Sequence, residues 1–205
     1  MKQCIIIFAV LIASVNTLLA KVKNPVTETR KVEAFQTLKL STVGTVYLTQ
    51  GDNYSLRFEG EEEYVKQNRS NVTDGVLSID CSKDRNGKSL VKNKNGVIIY
   101  ITAPDLKEIT FNGVGSLQCN HTMKLDDVKI TISGVGDLDI EELICQSLDV
   151  KIEGIGKGEV NVKCQKLKAT VSGIGGLTLS GETAQASISK TGLGYLDTEE
   201  LKIDN

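Results

Sequence analysis

The sequence predicts an all-β fold, a β-solenoid with coils of about 20 residues, and three observations predict it. A Gly-x-Gly returns five times at nearly fixed spacing, as Gly113-Val114-Gly115, Gly134-Val135-Gly136, Gly154-Ile155-Gly156, Gly173-Ile174-Gly175 and Gly192-Leu193-Gly194. The first glycines stand 21, 20, 19 and 19 residues apart. Apolar and polar residues alternate on both sides of each glycine pair. The composition agrees: the 205 residues include 19 Gly, 2 Pro, no Trp and only 4% aromatics. A core must therefore come from Val, Ile, Leu and small residues. Self-similarity at this period marks a stack of short units, none of which can bury its apolar face alone.

Each unit reads as strand, corner, strand and polar turn. Two positions before the first glycine stand Phe111, Ile132, Ile152, Val171 and Lys190. Four before it stand Ile109, Ile130, Val150, Ala169 and Ile188, with polar residues such as Thr110, Thr131 and Lys151 between. Period-two alternation is the mark of a strand with one buried face. Four positions after the first glycine stand Leu117, Leu138, Gly158, Leu177 and Leu196, opening a second alternating strand. The period is too short for a four-stranded propeller blade. The Asn ladder of a leucine-rich repeat is missing.

The paired glycines are expected at sharp corners needing positive φ. The residue between them is aliphatic in every unit: Val114, Val135, Ile155, Ile174 and Leu193. Two readings stand. These side chains turn into the core, or they form an exposed aliphatic edge suited to docking. Alternation does not decide between them, because the glycine pair is expected to reset its phase. In the last unit Lys190 and Thr198 break the apolar files, as a polar cap would.

The first half is less regular. Residues 1–20 read as a secretory signal, with Lys2 as the basic region, Ile5 to Ala13 as the apolar region and Leu18-Leu19-Ala20 as the cleavage site. The mature chain, from about Lys21, is then exported, to the periplasm or the cell surface, and has no membrane span. Residues 21–34 are polar and read as a flexible leader. Alternation starts at Phe35, and Val43-Gly44-Thr45-Val46 resembles an earlier copy of the corner. Glu61 to Asn68 is charged and fits one or two helical turns. Residues 82–96, rich in Lys, Asn and Gly, read as a mobile loop. The solenoid domain is expected over residues 35–205, with irregular coils over 35–103 and regular coils over 104–205.

Export brings an oxidising setting for Cys81, Cys119, Cys145 and Cys164. Three pairings are possible and the sequence does not choose among them. Cys145 and Cys164 each precede a glycine pair by nine residues, so they should stack on neighbouring coils.

Chemistry finds little support. The formal charge is −2, and the basic residues are scattered, against nucleic-acid binding. The one histidine, His121, has no Gly-x-Ser-x-Gly elbow with it. Cys119 and His121 are two ligands, too few for a metal site. Asp137, Asp139, Glu141 and Glu142, with Asp126 and Asp127 one coil earlier, are the densest carboxylates. A polysaccharide-cleaving β-helix would need such a cluster to persist into the next coil. There Lys157 and Gly158 stand instead. The carboxylates fit a solvated turn. Tyr47, Tyr54, Tyr64, Tyr100 and Tyr195 form no ladder in the repeat register, which weighs against sugar stacking.

The order of motifs resembles one family. An opening Phe35 strand is followed by a Gly44-Thr45-Val46 corner and a Gln50-Gly51-Asp52 turn. Then come Asp74-Gly75-Val76-Leu77-Ser78-Ile79, the Ile101 to Leu106 stretch with Ala103-Pro104-Asp105, and the Gly-x-Gly run. Together they resemble the head GIN domain family, the putative auto-transporter adhesins of exported bacterial proteins, over about residues 35 to 200. That family often carries Gly-Ser-Gly at the corner, where this chain carries Val, Ile or Leu. The resemblance implies a single-stranded right-handed parallel β-helix, similar to pectin lyases but without a catalytic set, cofactor or metal. It implies a non-catalytic binding or structural module whose partner is a glycan or an envelope or host protein. The alternatives are a polysaccharide-acting enzyme and a periplasmic scaffold.

Overall fold

The computed structural model describes residues 25–81 and 96–204. The signal-peptide expectation lies outside these residues, as does nearly all of the loop expected over 82–96. About three quarters of the chain is strand, wound as a β-solenoid of about five turns.

The regular coils follow the repeat. Strands β8 (Glu108–Phe111) and β9 (Val114–Cys119) flank the first corner, and the two-residue β10 (Met123–Lys124) follows. β11 (Asp127–Ile132) leads into β12 (Val135–Ile152), β13 (Ile155–Val171), β14 (Ile174–Lys190) and β15 (Tyr195–Ile203). Each pairs in parallel with the strand one repeat away. Equivalent residues therefore stack, as Leu117, Leu138, Gly158 and Leu177 do. The 20-residue and 19-residue units are reconciled by a register shift between Ile140 and Leu143, where the longer coil carries its extra residue. The core is a column of aliphatic side chains from both faces, with Phe35, Phe58 and Phe111 wholly buried among them.

The stack does not follow chain order. β2 (Thr37–Ser41) and β3 (Val43–Gln50) form a coil whose Gly44 underlies Gly115, the early copy of the corner. On its other side lie β6 (Val76–Cys81) and β7 (Val97–Ala103), which come later in sequence. The β2–β3 coil is thus held between the β6–β7 coil and the β8–β9 coil. The far end is closed by antiparallel pieces. β4 (Ser55–Glu61) pairs with β7, β5 (Asn68–Thr73) pairs with β6, and β1 (Pro25–Arg30) pairs with β4. Helix α1 (Glu62–Gln67) brings Tyr64 and Val65 into the core at this end. Its acidic first turn and basic last turn suit the helix dipole, and Lys66 pairs with Glu62 at 2.6 Å.

Two expectations are corrected here. Part of the stretch read as a flexible leader is strand β1, because Val26 and Val32 pack on the core and Arg30 is clasped by the cap. The corner glycines are not there for positive φ. Of the ten, only Gly115 lies in that region, at φ +143°. Their reason is close stacking. The amide of Ile155 donates to the carbonyl of Gly134 at 3.0 Å, and that of Ile174 to Gly154 at 3.0 Å. That bonded oxygen occupies the space where the next glycine would carry a Cβ. A Cβ at Gly154 would sit 1.9 Å from the oxygen of Gly134, and one at Gly173 would sit 1.9 Å from that of Gly154.

Candidate functional site

The residues between the paired glycines face solvent. Val114, Val135, Ile155, Ile174 and Leu193 are 50%, 49%, 53%, 57% and 88% exposed. The reading in which they turn into the core is overturned, and so is the idea that the glycines reset the alternation. Phe111 and Leu117 are both buried and stand six positions apart, an even number. Inward positions continue through Gly113 and Gly115, and Val114 falls on the outward phase. The same count holds for Ile132 and Leu138, and for Val171 and Leu177.

Strand register puts Val43, Val114, Val135, Ile155 and Ile174 in one file across successive coils. At the rise of about 4.8 Å between strands, Val43 to Ile174 spans about 19 Å, and Leu193 continues the ridge at the next corner. Glycines on both sides leave nothing to shade it. Past the glycines lie polar residues, among them Ser133, Asp137, Lys157 and Ser172.

Several of the candidate carboxylates are taken up by bonds to neighbouring coils. Asp137 accepts the backbone N–H of Lys157 at 2.9 Å, a bond to the next coil. Glu142 accepts from Thr122 at 2.7 Å and from Lys163 at 3.0 Å, and these partners, Thr122 first, hold its carboxyl below the usual range. Glu141 and Glu142 sit at the register shift, and Asp139 and Asp126 face solvent. Asp127 accepts from Ser147 at 2.6 Å. His121 is exposed on its turn, and its contact with Cys119 is through its carbonyl, 3.4 Å from Sγ. Lys190 leaves the core and donates to the carbonyl of Gly194 at 3.0 Å, and Thr198 is half-buried at the same end.

The tyrosines contain a feature that repeat spacing does not reveal. Tyr47 and Tyr100 pair across β3 and β7, with rings stacked at 5.3 Å and 20°. Arg57 covers the other side of Tyr100, 3.9 Å from its centroid, and is itself paired with Glu59. The residues are 53 positions apart and share no repeat register, so only the out-of-order stacking brings them together.

Cys119, Cys145 and Cys164 are buried free thiols. Cys145 and Cys164 occupy one rung, as the repeat register implies. Burial pushes the Cys145 thiol up to about 12 and the Cys119 thiol up to about 11. Thiolate is the reactive form. Both thiols are therefore expected to resist a thiol-specific reagent at pH 8 until the chain is unfolded. The same shifts set an alkaline limit. Unfolded thiols ionise near 9, so the protonated folded thiols contribute stability that is intact below about pH 9. It is lost as pH rises toward 11 and 12. The midpoint of thermal unfolding should fall over that window, and less steeply in Cys145→Ala.

A solenoid with a continuous apolar ridge, and with carboxylates tied to neighbouring coils, belongs to the class of repeat proteins that bind along an extended surface. The chain is a member of the family of putative auto-transporter adhesins with a head GIN domain, which matches residues 34–165. No curated protein matches the sequence. Among solved structures, it resembles a putative adhesin from Bacteroides fragilis at 25% identity, covering 85% of this chain and 97% of that one, with a TM-score of 0.69. It also shares its fold with a putative adhesin from Parabacteroides distasonis at 17% identity, covering 87% and 74%, with a TM-score of 0.76. Family and relatives together support an adhesin-like binding module.

Proposed function

We propose that this chain is an exported, non-catalytic adhesin-like module of the cell envelope that docks a protein partner through its aliphatic ridge. The exposed file from Val114 to Leu193, continued by half-buried Val43, carries this reading. Apolar side chains held out by the backbone carry an unfavourable free energy of hydration until something covers them. The side chains of the ridge stand out between glycines, so it fits a partner with an apolar cleft. Its exposed area is on the order of a few hundred Å², less than the roughly 800 Å² a standard interface buries per side. The polar rows beside it, with Asp137 and Lys157, therefore complete the contact. The bonds that tie Asp127, Asp137 and Glu142 to neighbouring coils support the non-catalytic part. The basic, apolar and small-residue regions of residues 1–20 support export.

Two measurements test it. A C-terminally tagged chain on intact cells should be digested by added protease, as it is in lysed cells; protection until lysis would move the function to a periplasmic scaffold. Ile155→Ser combined with Ile174→Ser should keep its stability within about 0.5 kcal/mol, as surface changes do. It should lower attachment of cells producing the chain at least tenfold. Undiminished attachment would remove the ridge from the docking surface.

A further inference from the structure

On the second face of the solenoid an open groove of about 620 Å³ crosses the coils. Register defines it as three parallel files. Asp127, Ser147, Lys166 and Gln185 stack along one wall. Between them run Val128, Leu148 and Leu167, whose side chains turn into the core and leave strand backbone as the floor, with half-buried Ala186 at the end of the file. Lys129, Asp149, Lys168 and Ser187 stack along the other wall, and Lys107 closes one end. Four rungs cover about 14 Å, so a ligand filling the groove is a chain lying along the solenoid axis.

Charge narrows the ligand. The lining holds four lysines against two carboxylates, on a protein whose formal charge is −2. Lys129 is paired with Glu108 at 3.0 Å, and Lys168 with Asp149 at 3.0 Å. Asp127 is occupied by the Ser147 hydroxyl. The ammonium groups of Lys107 and Lys166 have no ion pair or hydrogen bond among the described residues, though both backbones are bonded to neighbouring coils. Two uncommitted ammonium groups therefore stand beside a floor of strand backbone, and the lysine stems supply the apolar surface of the groove. Ser147, Gln185 and Ser187 add neutral hydrogen-bonding groups. A ring with an apolar face, hydroxyl edges and a periodic negative charge matches all three features.

We propose that this groove binds a linear anionic glycan, with Lys107 and Lys166 as its charge contacts. The inference rests on the reading of the chain as a non-catalytic binding module and adds a second surface, separate from the ridge. No aromatic ring lines the groove, so attraction depends on charge and weakens with salt.

Affinity electrophoresis of the purified protein tests this with four embedded polymers: a polyuronate, a sulfated glycan, neutral dextran and inorganic polyphosphate. Retardation by the polyuronate or the sulfated glycan, absent with dextran and reduced in 0.5 M salt, is the expected result; the two anionic arms tell carboxylate from sulfate. Lys107→Gln with Lys166→Gln should weaken that retardation about tenfold, while Ile155→Ser with Ile174→Ser leaves it unchanged. No retardation by either anionic glycan, equal retardation by dextran or polyphosphate, or an undiminished effect in the lysine variant would overturn the proposal. Ridge-dependent cell attachment that persists beside such a failure would show that the groove inference alone is wrong.

Discussion

Gly154→Ala should lower the unfolding free energy by about 3 kcal/mol or more, the upper end of ordinary overpacking. The added methyl would lie 1.9 Å from the carbonyl oxygen of Gly134. That oxygen accepts the amide of Ile155 at 3.0 Å and cannot rotate away as a side chain would. Relief would require the two coils to separate at the corner, breaking that bond and its neighbours in the stack. For a chain of this size the loss corresponds to a fall in Tm of about 6–12 °C. Gly75→Ala provides the contrast. Gly75 has φ +73° and nothing within 4 Å of a built Cβ. Its replacement should cost only about 1 kcal/mol, the conformational cost alone. Equal losses at the two sites would mean that backbone conformation, not coil spacing, selects the corner glycines.

Arg30→Met should cost about 3 kcal/mol and act on the capped end. The Arg30 guanidinium donates to the carbonyl of Val65 at 3.0 Å and to that of Asn68 at 2.6 Å. It donates to the Ser70 hydroxyl at 3.2 Å, pairs with Glu28 at 2.7 Å, and lies 4.0 Å over the Phe58 ring. These contacts join β1, α1, β5 and β4, elements that share no repeat. Hydrogen bonds to a charged group contribute about 1.5–3 kcal/mol, and a partly desolvated cation–π contact adds to that. Methionine keeps much of the apolar stem, so the loss reports the guanidinium. Hydrogen exchange should speed first in β1 and α1, with β12 to β14 unaffected. Uniform acceleration through the regular coils would show that the cap is not a separable unit.

Much of the ridge was legible before folding was considered. Phe111 and Leu117 lie six apart, and an even interval keeps them on the same face if the chain stays extended through the corner. The outward placement of Val114 follows from that count. The expectation of a phase reset came from assigning the glycines to positive φ, a conformation that nine of the ten do not adopt. Glycine here answers a requirement of distance between coils, and a single unit read by itself contains no neighbour to impose it. The groove was less legible. Its floor residues appear in the repeat as ordinary core positions, and Lys107 and Lys166 are unremarkable until register places them on one surface.

The regular coils, the rung shared by Cys145 and Cys164, and the aliphatic file were determined by sequence alone. The physical reason is that a repeat of 19–21 residues leaves parallel, in-register stacking as the way for each unit to bury its apolar face. Tertiary structure decided the rest: the β6–β7 coil lying beyond the β2–β3 coil, the Tyr47–Tyr100 stack, and the leader strand held by Arg30. Those contacts join segments with no common period, and they form because the exposed end of the stack must be covered by whatever apolar and hydrogen-bonding surface the rest of the chain supplies.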